Sequence, residues 1–198
     1  MRLPIVKYGD PILRAKGKLI EYVDERICSL AADMLETMHA ANGVGLAAQQ
    51  VGTALQLTVL DISQVEDRPS TMTLNGAEVD PAGAMPLILL NPRIRLDEEV
   101  SSGNEGCLSF PDITAEIDRA VSVRVEAETL EGETVRIEAA GLLARALQHE
   151  VDHLNGILFI DRMNSAAKAS LSSRLKRLQK ETQRGGKDRH VHATETAV

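Results

Sequence analysis

Five consecutive residues constrain this chain more than any others: His149-Glu150-Val151-Asp152-His153. Residues four apart share one face of a helix, so both imidazoles can reach a single ion while Glu150 projects beside it. Metal hydrolases need that arrangement, in which two neutral nitrogens bind the ion and a carboxylate takes a proton from its water. The competing reading is a solvated helix carrying two exposed histidines. A catalytic site also needs a third protein ligand and an open coordination position. Three residues beyond Gly156, where one protease class places a third histidine, the chain has Phe159. Another class uses a downstream glutamate, but Glu181 stands among lysines and arginines. Upstream, Cys107 lies in Glu105-Gly106-Cys107-Leu108-Ser109-Phe110-Pro111, a tight polar segment where a thiolate could approach the ion. Spacing alone leaves Cys107 open between a ligand and a small buried hydrophobe.

Composition narrows the class around that helix. A chain of 198 residues makes one domain with room for a tail. At 43% hydrophobic and 26% charged it is typical of a soluble globular protein. No apolar run is long enough to span a bilayer, so no membrane partner is expected. The start lacks an apolar signal core, and Cys28 and Cys107 make no disulfide framework; both points favour a cytoplasmic location. Only Tyr8, Tyr22, Phe110 and Phe159 are aromatic, which argues against base-stacking modules and against DNA as a partner. The net charge of −7 is unevenly spread: residues 1–162 carry −12 and residues 163–190 carry +6. An acidic body and a basic end suit different partners.

Periodicity places the rest. Ile27, Leu30, Ala31, Met34, Leu35 and Met38 recur at helical spacing over 24–41, with Asp24 as N-cap and Gly43 as terminator. Cys28 and His39, on or beside that helix, read as structural or exposed. Residues 43–52 form a glycine-bounded segment. They lack the Gly-Lys-Ser/Thr ending of a phosphate loop, and alone they read as a helix cap and packing turn. Strands are expected at 55–60, 87–90 and 94–96, and as an antiparallel hairpin of 121–125 with 135–137. Residues 64–85, with Pro69, Asn75-Gly76, Pro81 and Gly83, read as a surface loop or hairpin. Helices are expected at 139–156 and 166–183. Strands in a block between helices predict an α+β fold.

Three segments, taken in order, resemble peptide deformylase: Gly43-Val44-Gly45-Leu46-Ala47-Ala48-Gln49-Gln50, Glu105-Gly106-Cys107-Leu108-Ser109, and Gln148-His149-Glu150-Val151-Asp152-His153-Leu154. Tyr8-Gly9-Asp10-Pro11-Ile12-Leu13-Arg14 and Asp118-Arg119-Ala120 resemble the family too, and the likeness runs over about residues 4–165. The resemblance implies mixed or antiparallel sheets packed around a central metal-binding helix, with a C-terminal helix. It implies a catalytic domain at 1–165, a basic helix at 166–184 and a flexible tail at 185–198. Cys107, His149 and His153 would hold the metal, typically Fe²⁺, with Zn²⁺, Ni²⁺ or Co²⁺ as substitutes; ligand chemistry alone would favour zinc. The implied reaction removes the formyl group from formyl-methionyl nascent peptides. Glu150 would be the general base, and Gln50 and the Leu108 N–H would stabilise the oxyanion. Gly45 would pair with the extended peptide, and Val44, Leu142, Ala146 and the His149 ring would line the methionine pocket.

Two departures stand out. Gly103 and Arg145 occupy places that some relatives fill with apolar residues at the methionine pocket, and an inward Arg145 would alter methionine preference. Residues 64–85 exceed the matching loop of compact members. The basic helix resembles those that dock on the ribosome, where clustered Lys and Arg neutralise RNA phosphates. A different zinc peptidase on the same helix, or an inactive metal-bearing ribosome-binding module, are the competing functions.

Overall fold

The computed structural model describes residues 1–195, with side chains through Gly185. Asp24 caps the first helix, α1 (Glu25–Ala40), by accepting a hydrogen bond from the Ile27 N–H at 3.0 Å. The strands come next as β1 (Gly45–Ala47), β2 (Leu57–Leu60), β3 (Ser70–Leu74), β4 (Ala77–Val79), β5 (Leu87–Leu96), β6 (Val100–Cys107), β7 (Phe110–Ala120), β8 (Ser122–Glu128) and β9 (Thr134–Gly141). Then come α2 (Leu142–Leu154), the single turn α3 (Phe159–Arg162) and α4 (Ser165–Glu195). A seven-stranded sheet runs in the order β1-β2-β5-β8-β9-β3-β4 and a second sheet pairs β6 with β7. All of these pairings are antiparallel, as an α+β reading requires.

Helix α2 lies in the middle of the molecule. Every residue of it except His149 is buried. Leu142, Leu143, Ala144, Ala146 and Leu147 pack on Val123, Val125, Ile137 and Ala139, the inward-facing residues of β8 and β9. Complete burial of one such leucine contributes about 1.5–3 kcal/mol. A helix buried all round must satisfy its polar side chains internally. Gln148 does so by clamping the Ala120 backbone, accepting from its N–H at 3.0 Å and donating to its C=O at 2.9 Å.

Several boundaries differ from the pattern in the sequence. The helix expected at 139–156 starts only at Leu142, because Ala139 and Ala140 continue the β9 ladder against Val123 and Ser122. Sheet register outweighs the helix propensity of alanine there. The strands expected at 87–90 and 94–96 are one strand with an irregular register between Leu90 and Arg93. Residues 64–85 contain the β3–β4 hairpin, turned through Asn75 and Gly76 at φ 51° and 85°, and β3 extends the large sheet beside β9. Strand β6 had no signature, since on Val100–Cys107 only Glu105 is buried; β7 alternates, with Ile113, Ala115 and Ile117 buried, but was not expected from the sequence. Cys107 therefore ends a strand rather than sitting in a loop, at a register shift that pairs it with Phe110.

Helix α4 lies against β7. Leu175 is buried, and Leu171 and Leu178 are half-buried on the cluster that holds Phe110 and Phe159. Lys168, Arg174, Lys176, Arg177, Lys180 and Arg184 are exposed. The helix backbone continues to Glu195, past the expected end at 184. The remainder of the expected tail, residues 196–198, lies outside the described residues. Among the described residues no helix is long and apolar enough to cross a membrane.

The corner between β9 and α2 depends on Gly141, at φ 73° and ψ −139°, where an added Cβ would lie 2.2 Å from the Pro69 carbonyl oxygen. Backbone strain alone costs about 1–3 kcal/mol at such a position. Gly141→Ala is expected to lower the urea midpoint by at least that amount of stability, with an unchanged denaturant slope.

Candidate active site

The last residue of β6 meets one face of α2. Cys107 Sγ and one nitrogen from each of His149 and His153 lie within 4.8 Å of one another. His153 Nε2 is 3.3 Å from the sulfur. His149 Nδ1 is 3.1 Å from Glu105 Oε2, so that nitrogen carries the proton and Nε2 keeps its lone pair for the cluster. Burial, with His149 and Arg119 nearby, drives the His153 pKa well below its usual value and keeps that ring neutral. Burial also opposes charge on His149, yet Cys107, Glu105 and Glu150 outweigh it and raise its pKa well above normal. The acidic surroundings of His149 thus favour positive charge at the cluster. A divalent cation supplies it, and one sulfur with two imidazoles suits zinc or another first-row transition ion.

Glu150 projects beside the cluster. Burial pushes its carboxyl up to about 7, partly opposed by His149. Its Oε2 is buried without a hydrogen-bond partner among the described residues. A carboxyl poised there can both take and give a proton at neutral pH. Gly45 makes room for it, since a Cβ at residue 45 would stand 2.4 Å from Glu150 Oε1. Gln50 is aimed by the Ala47 N–H, which donates to its Oε1 at 2.9 Å. Its Nε2 then faces Cys107 Sγ at 3.5 Å and Ser109 Oγ at 3.3 Å.

These groups open on a cleft of about 520 Å³. Val44, Gly45, Leu108, Leu142 and Ala146 all border it, so each site residue expected from the sequence is at the cluster or on this cleft. β1 is the edge strand of the large sheet, paired with β2 on one side only. The other side of Gly45 faces the cleft.

Other residues of the site carried no assigned role in the sequence. Glu105 accepts from Arg119 Nε and Nη2 at 2.9 and 3.0 Å and from Arg145 Nη1 at 2.9 Å, in addition to its contact with His149. Arg119 also binds Asp152, which accepts from Arg162 at 2.7 Å. Burial would raise the Glu105 pKa, but His149 and Arg119 bring it down to about 2. Arg145 is buried and points inward, one helical turn before His149. An arginine on the apolar side of a buried helix was the available signal for this network. Lys7 Nζ donates to the Leu108 carbonyl at 2.7 Å at the rim of the cleft.

A family profile described as polypeptide deformylase matches residues 2–169. A peptide deformylase of Opitutus terrae is 44% identical over 189 residues, covering 94% of this chain and 98% of that one. A peptide deformylase of Acinetobacter baumannii is 40% identical, covering 92% and 94%. Among solved structures, the peptide deformylase of Thermotoga maritima superposes with a TM-score of 0.71 at 38% identity, covering 83% of this chain and 99% of that one. A peptide deformylase of Arabidopsis thaliana in complex with an inhibitor gives 0.80 at 38% identity, covering 93% of each chain.

The Glu105 network sets a pH dependence. Its pKa falls from 4.5 to about 2 on folding, so its contribution is complete above roughly pH 5 and is lost as pH drops through that interval. Glu105→Gln leaves the buried Arg145 guanidinium without a carboxylate partner and Arg119 with Asp152 alone, at a cost of about 3–5 kcal/mol. Chemical denaturation from about pH 7 down to pH 3 should show that cost and a flatter acid limb than the parent.

Proposed function

Because the chain belongs to the polypeptide deformylase family, whose members act as metal-dependent hydrolases on formylated nascent polypeptides, we propose that Cys107, His149 and His153 hold its metal ion and Glu150 is its general base. The observation that carries this reading is the convergence of one sulfur and two imidazoles beside a buried carboxyl. When bound, the ion supplies Lewis acidity and lowers the pKa of a water. Glu150 takes the proton of the water that attacks the formyl carbon and returns it to the departing amine. The Gln50 amide and the Leu108 N–H donate to the developing oxyanion, each such donor contributing on the order of 10²–10³ in rate. Gly45 pairs with the extended peptide at the free edge of β1. Val44, Leu142, Ala146 and the His149 ring receive the first side chain, that of methionine.

The native ion of this reading is Fe²⁺, with Zn²⁺, Ni²⁺ or Co²⁺ able to replace it on the same donors. The protein works in the cytoplasm. The exposed cations of α4 support docking on ribosomal RNA, because phosphate neutralisation needs clustered Lys and Arg rather than base readout. A zinc peptidase using the same helix is disfavoured by the thiolate in its ligand set, and an inactive module by Glu150 and Gln50 both facing the cluster.

Protein prepared without oxygen should release formate from a formyl-methionyl dipeptide, and metal-loaded protein that releases none removes the proposal. Glu150→Ala should retain its metal by elemental analysis while turnover falls on the order of 10²–10⁴. Cys107→Ser should instead lose most of the metal.

A further inference from the structure

The inward position of Arg145 changes the end of the cleft that receives the first side chain. Its guanidinium is held through Nη1, which donates to Glu105 at 2.9 Å, to the Ile117 carbonyl at 2.8 Å and to the Gly103 carbonyl at 3.4 Å, and through Nη2, which donates to the Ser101 carbonyl at 2.8 Å. That leaves the Nε hydrogen and the second Nη2 hydrogen without an acceptor among the described residues. The Nε hydrogen belongs to the side-on edge of the guanidinium, the edge that a neutral oxygen can meet. The guanidinium face beside that edge lies over Gly103, where an added Cβ would stand 2.9 Å from Cζ, 2.9 Å from Nη2 and 3.2 Å from Nε. Gly103 and Arg145 are therefore one adaptation: a side chain at 103 would press on that face and displace the guanidinium. Arg145, Leu142 and Arg68 border both the cleft and an adjoining cavity of about 210 Å³ lined by Ser101, Ser102 and Gly103. The end of the cleft is consequently roomier and better supplied with donors than an all-apolar pocket.

We propose that Arg145, left uncovered by Gly103, is a specificity-determining residue that admits an unbranched first side chain carrying an acceptor oxygen near its tip, such as methionine sulfoxide or glutamine, alongside methionine. The proposal rests on the assignment of the cleft to deformylation. The acceptor should be neutral, because the charge of Arg145 is already met by Glu105 at 2.9 Å. Methionine sulfoxide is the ordinary first oxidation product of methionine, and it places an oxygen on an otherwise similar chain. An unpaired donor on the pocket wall favours a ligand that brings an acceptor, whereas an apolar pocket penalises the oxygen.

The test compares kcat/KM for formate release from four formyl-peptides that differ only in the first residue: methionine, norleucine, methionine sulfoxide and glutamine. In the parent protein the two oxygen-bearing peptides should fall within about tenfold of norleucine. Arg145→Leu, which removes the donors, and Gly103→Ala, which displaces them while keeping the charge, should each move that ratio at least about tenfold towards norleucine. The Gly103 variant removes neither buried charge, so the comparison survives if Arg145→Leu does not fold. A wider gap in the parent, or ratios that neither variant moves, overturns the proposal. Formate from none of the four peptides overturns the deformylation reading itself, and this inference with it.

Discussion

A buried carboxylate surrounded by three cationic or ring nitrogen donors holds this architecture together. Glu105 sits on β6 and is met by Arg119 from β7 and by Arg145 and His149 from α2. One side chain thereby fixes the small sheet to itself and to the central helix. The strand bearing the candidate sulfur ligand and the helix bearing the two candidate imidazole ligands are held together by the same group. Burying such a carboxylate alone would be prohibitive, and satisfying it from three sides turns that cost into geometric definition. The contact to His149 Nδ1 also decides which ring nitrogen is left for an ion, so the network that joins the elements tunes the site as well.

The site was more legible in the sequence than the fold around it. His149, Glu150 and His153 declare themselves through helical spacing, which depends only on local geometry. Cys107 does not. Its neighbours on β6 are mostly exposed, and the strand exists because β7 offers it a ladder, a long-range fact that leaves no period in Val100–Cys107. Propensity misled at Ala139 and Ala140 for a similar reason, since pairing with β8 and β3 decided their conformation. The hairpin of 121–125 with 135–137 was readable because one of its faces meets solvent and the other α2, so burial alternates residue by residue.

Polar residues inside α2 carried information that periodicity discards. Arg145, Gln148 and Asp152 interrupt an apolar surface, and each proves to tie the helix to a specific backbone or side-chain partner. Phe159 has the converse history. It stands where another protease class would have a ligand, and it packs edge-on against Phe110 at 5.0 Å in the cluster under α4. What replaces the ligand there is part of the wall on which the C-terminal helix rests.

On the proposed reading, the unpaired margin of β1 would meet an incoming chain through main-chain donors and acceptors, which every polypeptide presents at the same intervals whatever its side chains. Contacts of that kind do not depend on side-chain identity. Discrimination between substrates would then fall to the pocket that takes the first side chain, and one small protein could act on many different chains.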